Sequence, residues 1–244
     1  MPTRVLMWSG PRNISTAMMR AWDARPDTFV CDEPLYAHYL KETGLPHPGA
    51  DEIMAAQETD WRAVVDWLVG PVPHDRDVFY QKHMAHHILP GMETAWIEGL
   101  ANCFLIREPR EMLTSLMKVI PDPAVEETGL PQQVAMFEQE RNRTGRTPVV
   151  LDSRDVLEAP GPMLDALCRA IDVPYTAAML SWAPGPRETD GVWAKHWYAN
   201  VERSTGFGRY TPKDEAVPPH LEGTLDACQA LYAQLYEHRL TASA

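Results

Sequence analysis

The stretch VLMWSGPRNISTAMMRAW, residues 5–22, constrains the fold of this chain more than any other feature. An apolar run of strand type ends at Ser9-Gly10-Pro11, and helix-forming residues follow Ser15 and Thr16. A loop between a strand end and a helix start presents free backbone N–H groups, which favour an anion together with the helix dipole. Arg12 adds a permanent positive charge. The stretch predicts either an anion-binding loop or an ordinary strand–turn–helix with a hydroxyl N-cap.

Short apolar runs alternate with segments of helical spacing along the rest of the chain. Strands are predicted at residues 4–8, 28–31, 78–81, 103–106 and 148–151, and helices at 15–24, 52–69, 109–120, 162–171 and 225–240. Such alternation is typical of a parallel sheet covered on both faces. We predict an α/β fold, with residues 1–244 forming one domain around about five parallel strands. Pro- and Gly-rich segments at 34–50 and 183–220 interrupt the pattern and predict lid-like or acceptor loops.

Charge and cysteine content exclude several classes of function. The formal net charge of −12 argues against a nucleic-acid or anionic-membrane surface. No run of 18 apolar residues predicts a membrane span, and an apolar strand so near the start leaves no room for a signal peptide. The four cysteines lack CxxC or metal-type spacing and predict buried thiols. We expect a cytoplasmic protein with no metal, nucleic-acid or membrane partner.

A second anion signal lies in CFLIREPREMLTSLMKV, which begins at Cys103. Arg107 ends the predicted strand, and Pro109 suits the first turn of a helix. Ser115 follows Arg107 by eight residues and could turn toward the carboxyl edge of the sheet, where open α/β folds bind ligands. Alone, each residue is explained as a surface arginine or a helix serine. Together with the first loop they predict a two-part anion site.

The two parts together resemble the donor site of sulfotransferases that use 3′-phosphoadenosine 5′-phosphosulfate (PAPS). Residues 11–16, Pro-Arg-Asn-Ile-Ser-Thr, are similar to the family's 5′-phosphosulfate loop, Pro-(Arg/Lys)-Ser-Gly-Thr-Thr, with Asn13-Ile14 replacing Ser-Gly. Arg107-Glu108-Pro109 and Ser115 match the family's 3′-phosphate motif residue by residue. Weaker likenesses at 150–175 and 190–198 follow in the family's order.

The resemblance implies a P-loop-type domain that moves a sulfuryl group in line from PAPS to a hydroxyl or amine of a small-molecule acceptor, without a metal. The residues expected to contact PAPS are Arg12, Asn13, Ile14, Ser15, Thr16, Arg107, Ser115 and, by analogy with a segment that closes over the donor, Lys195 or Arg203. Cations aimed at the leaving phosphate stabilise its developing charge. Arg12 is the first candidate for this task, and Lys82 could assist.

A general base must remove the proton of the acceptor. Glu33 follows the second predicted strand, where some bacterial and carbohydrate sulfotransferases place a catalytic glutamate; its alternative is a solvated strand-end acid. Cytosolic sulfotransferases carry Lys-Thr-His after their third strand, whereas His83 follows Lys82 directly here. A shift of one residue reverses the side-chain direction on a strand. We predict Glu33 as the base, with His83 second and His86 as a further alternative.

The sequence says less about the chemical nature of the acceptor than about that of the donor. The aromatic residues that could line its pocket are Tyr36, Tyr39, Trp193, Trp197, Tyr198, Phe207 and Tyr210. They suit a small apolar or ring-containing acceptor, or they only anchor long loops. Two other functions stay open: an ATP-dependent kinase or hydrolase, although the loop lacks Gly-Lys-Ser/Thr, and a non-catalytic nucleotide-binding module.

Overall fold

The apolar runs identified in the sequence form the central sheet of a computed structural model, which describes residues 2–242. The strands are β1 (Thr3–Ser9), β2 (Thr28–Asp32), β3 (Val78–Met84), β4 (Ala101–Ile106) and β5 (Val149–Asp152). They lie in the order β2-β3-β1-β4-β5, and every neighbouring pair is parallel. The predicted α/β fold with five parallel strands is confirmed.

Helices cover both faces of this sheet, because its central strands are apolar on both sides. They are α1 (Ser15–Asp23), α2 (Tyr36–Thr43), α3 (Ala50–Ala56), α4 (Trp61–Val69), α5 (Pro109–Leu116), α6 (Leu130–Thr144), α7 (Ser153–Glu158), α8 (Pro160–Ala170), α9 (Ala194–Trp197) and α10 (Glu222–Tyr236). Leu6 and Trp8 of β1 pack in the core formed with α4, α5, α6 and α10. Val5 and Met7 alternate with them and pack in the core formed with α1, α7 and α8.

Several helices differ from the sequence prediction. The single helix predicted at 52–69 is divided, because Gln57 has extended backbone and the side chain of Asp60 accepts a hydrogen bond from the Arg62 N–H, starting α4. Residues 34–50, predicted as a loop, contain α2, whose inner face buries Tyr36, Tyr39 and Leu40. Helix α6 was not predicted at all. Sequence pattern failed here because these helices are short or mainly polar.

The strand order places β1 between β3 and β4, and the chain leaves β1 to form β2 on one side before returning to β4 on the other. Open α/β folds bind ligands at the carboxyl edge of such a point. Gln133 of α6 reinforces this edge: its Nε2 donates to the carbonyls of Trp8 at 2.8 Å and Leu105 at 3.1 Å. The ends of β1 and β4 are thereby held together at the place where both predicted anion sites begin.

The four cysteines are buried and free, as predicted. Over residues 2–242, none of the helices combines the length and apolar character needed to cross a bilayer.

Candidate active site

The loop between β1 and α1 is held in place by contacts with other strand ends. A Cβ added to Gly10 would lie 2.2 Å from the carbonyl oxygen of Thr128, so only glycine fits this approach. Asn13 Nδ2 donates to the Leu105 carbonyl at 3.1 Å, and Ser153 Oγ donates to the Asn13 carbonyl at 3.1 Å. The loop is therefore fixed from the ends of β4 and β5 before any ligand binds.

Left-handed backbone shapes the same loop. Arg12 and Ile14 have φ angles of 63° and 58°. Ile14 stands where the sulfotransferase motif has glycine, and a β-branched residue is strained in this region. Ile14 is also the N-cap of α1 and supplies no side-chain hydrogen bond to the helix start. The N–H groups in the first turn of α1 thus have no capping side chain from this position and stay free to bind an anion.

The two predicted anion sites lie at strand-to-helix corners, the first between β1 and α1 and the second between β4 and α5. These two corners contact each other directly. Arg12 Nε donates to Ser115 Oγ at 3.0 Å, and Arg107 Nη1 donates to the Arg12 carbonyl at 2.6 Å. Arg107 is also paired with Glu111, its nearest O–N distance being 3.0 Å. Burial, and then the positive charge of Arg107, lower the pKa of Arg12. An anion between these two guanidinium groups would relieve their repulsion.

Both corners open into one cavity of about 470 Å³. The predicted donor residues that line it are Arg12, Asn13, Ile14, Ser15, Thr16, Arg107 and Ser115. Glu33 and Lys82 line it as well. The cavity therefore brings the two arginines, a lysine, the start of α1 and the carboxylate of Glu33 to one surface.

Glu33 belongs to a buried network of charged groups. Lys82 Nζ donates to Asp32 Oδ1 at 2.8 Å, to Tyr198 Oη at 2.8 Å and to Glu33 Oε1. Burial raises the pKa of Glu33; Lys82 opposes that rise, and the negative charge of Asp32 adds to it. Burial alone would lower the pKa of Lys82, but Asp32 and Glu33 outweigh it and hold that pKa well above its ordinary value. The result is a carboxylate that binds a proton more readily than usual, beside a lysine that stays charged.

Comparison with known proteins shows the family of this chain. A family model described as "Sulfotransferase domain" matches residues 3–233. The chain belongs to this sulfotransferase family. Solved structures show the same fold. The sulfotransferase domain of the Synechococcus PCC 7002 olefin synthase is 15% identical, with a TM-score of 0.52, and the match covers 93% of this chain and 94% of that one. The sulfotransferase domain of the curacin biosynthetic pathway is also 15% identical, with a TM-score of 0.56, and the match covers 99% of both chains. A sulfotransferase from Alicyclobacillus acidocaldarius is 13% identical, with a TM-score of 0.56, and the match covers 97% of this chain and 96% of that one.

Two curated relatives are closer in sequence than these structures. Branched-chain-amino-acid aminotransferase-like proteins 1 and 2 of Arabidopsis thaliana are 34% identical over 238 residues and 33% identical over 232 residues. The matches cover 97% and 95% of this chain but only 42% and 41% of the relatives. The chain thus spans about two fifths of the length of the curated relatives it matches.

The structure does not bring His83 to the cavity. Its ring stacks on Trp8 at 4.3 Å, and its Nε2 lies 3.3 Å from Gln81 Oε1. Lys82 points into the cavity, so the next residue of β3 points to the other face of the sheet. Burial and then Lys82 lower the pKa of His83 to about 3. This placement removes His83 from the candidate bases, whereas His86, beyond the end of the strand, lines the cavity.

Lys195 and Arg203 are also absent from the residues that line the cavity. Lys195 forms an exposed ion pair with Glu52, and Arg203 Nη2 donates to Asn200 Oδ1 at 2.8 Å. Arg209 and Lys213 line the cavity instead. Burial, and then the charge of Arg107, lower the pKa of Lys213, which places this lysine near the second corner. Sequence reasoning missed Arg209 and Lys213, which follow two closely spaced glycines at 206 and 208.

The predicted aromatic residues divide into two groups. Tyr36, Trp193, Trp197 and Tyr198 line the cavity. Phe207 packs on Trp182 at 5.3 Å, and the Tyr210 hydroxyl donates to Glu111 Oε1 at 2.7 Å, so these two only anchor their segment. Tyr39 lies behind the wall, with its ring 5.1 Å from that of His86.

Asp32 ties the segment at 190–198 to the sheet. Its Oδ2 accepts from the Gly191 N–H at 3.1 Å and from the Tyr198 hydroxyl at 2.7 Å. Asp190 adds a paired contact with Arg20 of α1, at 2.6 and 2.7 Å. Part of the segment predicted as a lid is therefore fastened by buried polar contacts next to Glu33. The sequence analysis did not foresee this role of Asp32.

Proposed function

We propose that this protein transfers a sulfuryl group from PAPS to a hydroxyl or amine of a small-molecule acceptor by in-line displacement. One observation carries the proposal: Arg12 and Arg107 line one cavity, where Arg107 donates to the Arg12 carbonyl and Arg12 donates to Ser115. They come from two separate strand-to-helix corners. Adenosine phosphorylated at the 3′ and 5′ oxygens of its ribose carries two separate anionic groups, which suit two adjacent cationic corners.

The residues present fit such a donor. The start of α1, with Arg12 and the hydroxyls of Ser15 and Thr16, suits the 5′-phosphosulfate, because helix N–H groups and a guanidinium both favour an anion. Arg107 and Ser115 suit the 3′-phosphate. Arg209 and Lys213 add positive charge on the same cavity and join the proposed donor residues.

Each side chain then has a defined task. Bound PAPS supplies the activated sulfuryl group and a phosphate leaving group. Arg12 stabilises the negative charge that develops on that phosphate. Glu33 accepts the proton of the acceptor, for which its raised pKa is suited near neutral pH. Lys82, held by Asp32 and Tyr198, keeps the Glu33 carboxylate in position.

A binding measurement tests the donor and a transfer measurement tests the reaction. PAP, the desulfated product, should raise the Tm strongly without magnesium, and Mg-ATP should not. Radiolabel should then pass from PAPS into hydroxyl- or amine-bearing compounds of a metabolite extract. A preference for Mg-ATP over PAP would support a kinase or hydrolase instead. Tight PAP binding without transfer to any acceptor class would indicate a non-catalytic nucleotide-binding module.

A further inference from the structure

Asp32 and Glu33 are consecutive residues, yet both carboxylates bind the same lysine. Asp32 is the partner of Lys82 in the register of β2 and β3, so the two side chains lie on one face of the sheet. The next residue of a regular strand would point to the opposite face. Glu33 instead has left-handed backbone, with a φ of 43°, which is strained for a residue other than glycine. This turn brings the Glu33 carboxylate back to Lys82.

Three hydrogen bonds hold the Glu33 backbone in its strained conformation. The Glu33 N–H donates to the Lys82 carbonyl at 2.9 Å, and the Glu33 carbonyl accepts from the Tyr36 N–H at 3.1 Å and from Gln57 Nε2 at 3.4 Å. Strained backbone persists where its surroundings over-determine it, and such positions cluster at functional sites. The turn at Glu33 therefore indicates a task for the arrangement that it creates, a lysine held between two carboxylates.

The two carboxylates are hydrogen-bonded unequally. Asp32 accepts from Lys82 Nζ at 2.8 Å, from the Tyr198 hydroxyl at 2.7 Å and from the Gly191 N–H at 3.1 Å. Glu33 accepts from Lys82 through Oε1. Within residues 2–242, Glu33 Oε2 has no hydrogen-bond partner, and it does not belong to the unpartnered atoms that are closed off from solvent. Because Glu33 lines the cavity, Oε2 is the carboxylate oxygen left open to a ligand.

This difference decides which carboxylate binds a proton. Hydrogen bonds to a carboxylate favour its ionised form, so Asp32, with three donors, keeps its charge and Glu33, with one, takes up the proton. Asp32, Glu33 and Lys82 together carry one net negative charge, which a proton on Glu33 cancels. The three N–H donors of Lys82 are all engaged, by Asp32, Glu33 and the Tyr198 hydroxyl, and none is left for the leaving phosphate.

Two tyrosines also face Glu33: Tyr36 from α2, and Tyr198, which follows α9. Burial is the first cause that raises the pKa of each, and nearby carboxylates add to it, so both hydroxyls stay neutral near pH 7. Burial also raises the pKa of Glu33, while the charge of Lys82 lowers it and that of Asp32 raises it. The charges that act on the base are therefore those of Lys82 and Asp32, in opposite directions.

We propose that Asp32 is a positioning residue for the general base: it holds Lys82 and stays ionised, so that only Glu33, through Oε2, takes the proton of the acceptor's hydroxyl or amine. Asp32 does not line the cavity and acts on the reaction through Lys82 and through its own charge. The inference rests on the proposed function for the identity of the acceptor, but not for the place where the network binds its proton.

A titration of the full chain without PAPS tests where that proton binds. Protein isotope-labelled at the side-chain carboxyl carbons of Asp and Glu is followed by NMR as the pH is lowered, and Glu33→Gln and Asp32→Asn assign the two signals. We expect Glu33 to titrate above the usual range of a glutamate, and Asp32 to stay ionised while it does. Glu140→Gln is the matched control, because this buried carboxylate pairs with Arg143 and does not line the cavity.

Two substitutions should move the titration of Glu33 in opposite directions. Asp32→Asn removes a negative charge and should move the midpoint down by about one pH unit, whereas Lys82→Met removes a positive charge and should move it up by about one to three. The acid limb of kcat/KM for transfer from PAPS should move with the midpoint. Transfer by Lys82→Met should therefore recover at high pH, which damage to packing alone would not produce.

Several results would overturn the inference: titration of Asp32 before or together with Glu33, an unchanged midpoint in Asp32→Asn, or shifts of the same sign in both variants. A loss of transfer in Lys82→Met that is equal at every pH would do the same. If Asp32→Asn fails to fold, the wild-type titration of Glu33 and Lys82→Met decide. The expected titrations without any transfer would count against the proposed function alone. Transfer with Asp32 as the titrating group would count against the inference alone.

Discussion

The donor half and the acceptor half of the cavity are built in opposite ways. In the donor half, Arg12, Arg107 and Ser115 follow the neighbouring strands β1 and β4, and Arg12 bonds to each of the other two. In the acceptor half, Tyr36 of α2 meets both Trp193, at the start of α9, and His87, after β3, and the rings carry no charge. The sheet thus fixes the cations, while helices and irregular segments shape the wall that would select the acceptor.

The two halves meet at Glu33, where the largest effect is expected. Glu33→Gln should reduce sulfuryl transfer from PAPS by about 10³-fold, within the range of general-base catalysis. PAP affinity should not change, because Glu33 belongs to the acceptor side. In the wild type, raising the pH through the elevated pKa of Glu33 should increase kcat/KM along an acid limb. An active Glu33→Gln enzyme would transfer the role of base to His86.

Arg12 tests whether the donor half acts on the transition state. Arg12→Ala should lower kcat by about 10²-fold, as expected for loss of a group that stabilises developing charge. PAP affinity should fall far less. Arg12→Lys, which keeps the charge and loses the planar fork, should be intermediate. Equal losses in transfer and in PAP affinity would mean that Arg12 only binds the donor.

Arg107 and Ser115 test the binding part of the same half. Arg107→Ala should weaken PAP binding by about tenfold to a hundredfold, and Ser115→Ala by less, because a charged hydrogen bond contributes more than a neutral one. Calorimetric titration with PAP measures both losses. Titration with adenosine 5′-phosphosulfate, which lacks the 3′-phosphate, should show little change. If neither substitution alters PAP affinity, the 3′-phosphate site lies elsewhere.

Tyr198 tests how firmly the acceptor half is attached to the sheet. Its hydroxyl donates to Asp32 and accepts from Lys82, so Tyr198→Phe removes hydrogen bonds to two charged groups. We expect a loss of about 2 kcal/mol in the free energy of unfolding, measured by urea denaturation. Tyr175→Phe, on a tyrosine that does not line the cavity, is the control. Equal stability of Tyr198→Phe and the wild type would show that the segment does not depend on this contact.

His83 gives the smallest effect per pH unit and separates a histidine of the core from those near the cavity. Its pKa of about 3 in the folded state lies below the ordinary value of about 6.5. The unfolded chain therefore takes up a proton first as the pH falls, and stability is lost from about pH 6.5 down to about pH 3. His83→Phe should make that loss shallower by about 1.4 kcal/mol per pH unit. Urea denaturation across this range measures it, and identical slopes would contradict the assigned burial.

The sequence by itself determined the sheet and the donor corners. An apolar strand, a Gly-Pro turn and a helix start are local features, and parallel strands must bring their carboxyl ends to the same edge. Arg12, Arg107 and Ser115 could therefore be predicted together from spacing and resemblance. The division of the helix at Gln57 could not, because it depends on contacts such as that between the Gln57 side chain and the Ala37 N–H.

Only the tertiary structure decided which members of similar pairs reach the cavity. His83 and His86 are three residues apart, yet alternation on β3 sends the first to the opposite face and the turn after the strand brings the second inward. Arg209 and Lys213 replaced Lys195 and Arg203 because the path of an irregular segment is set by distant partners, such as the contact of Tyr210 with Glu111. Such partners lie far away in the chain, so they cannot be predicted from a local sequence pattern.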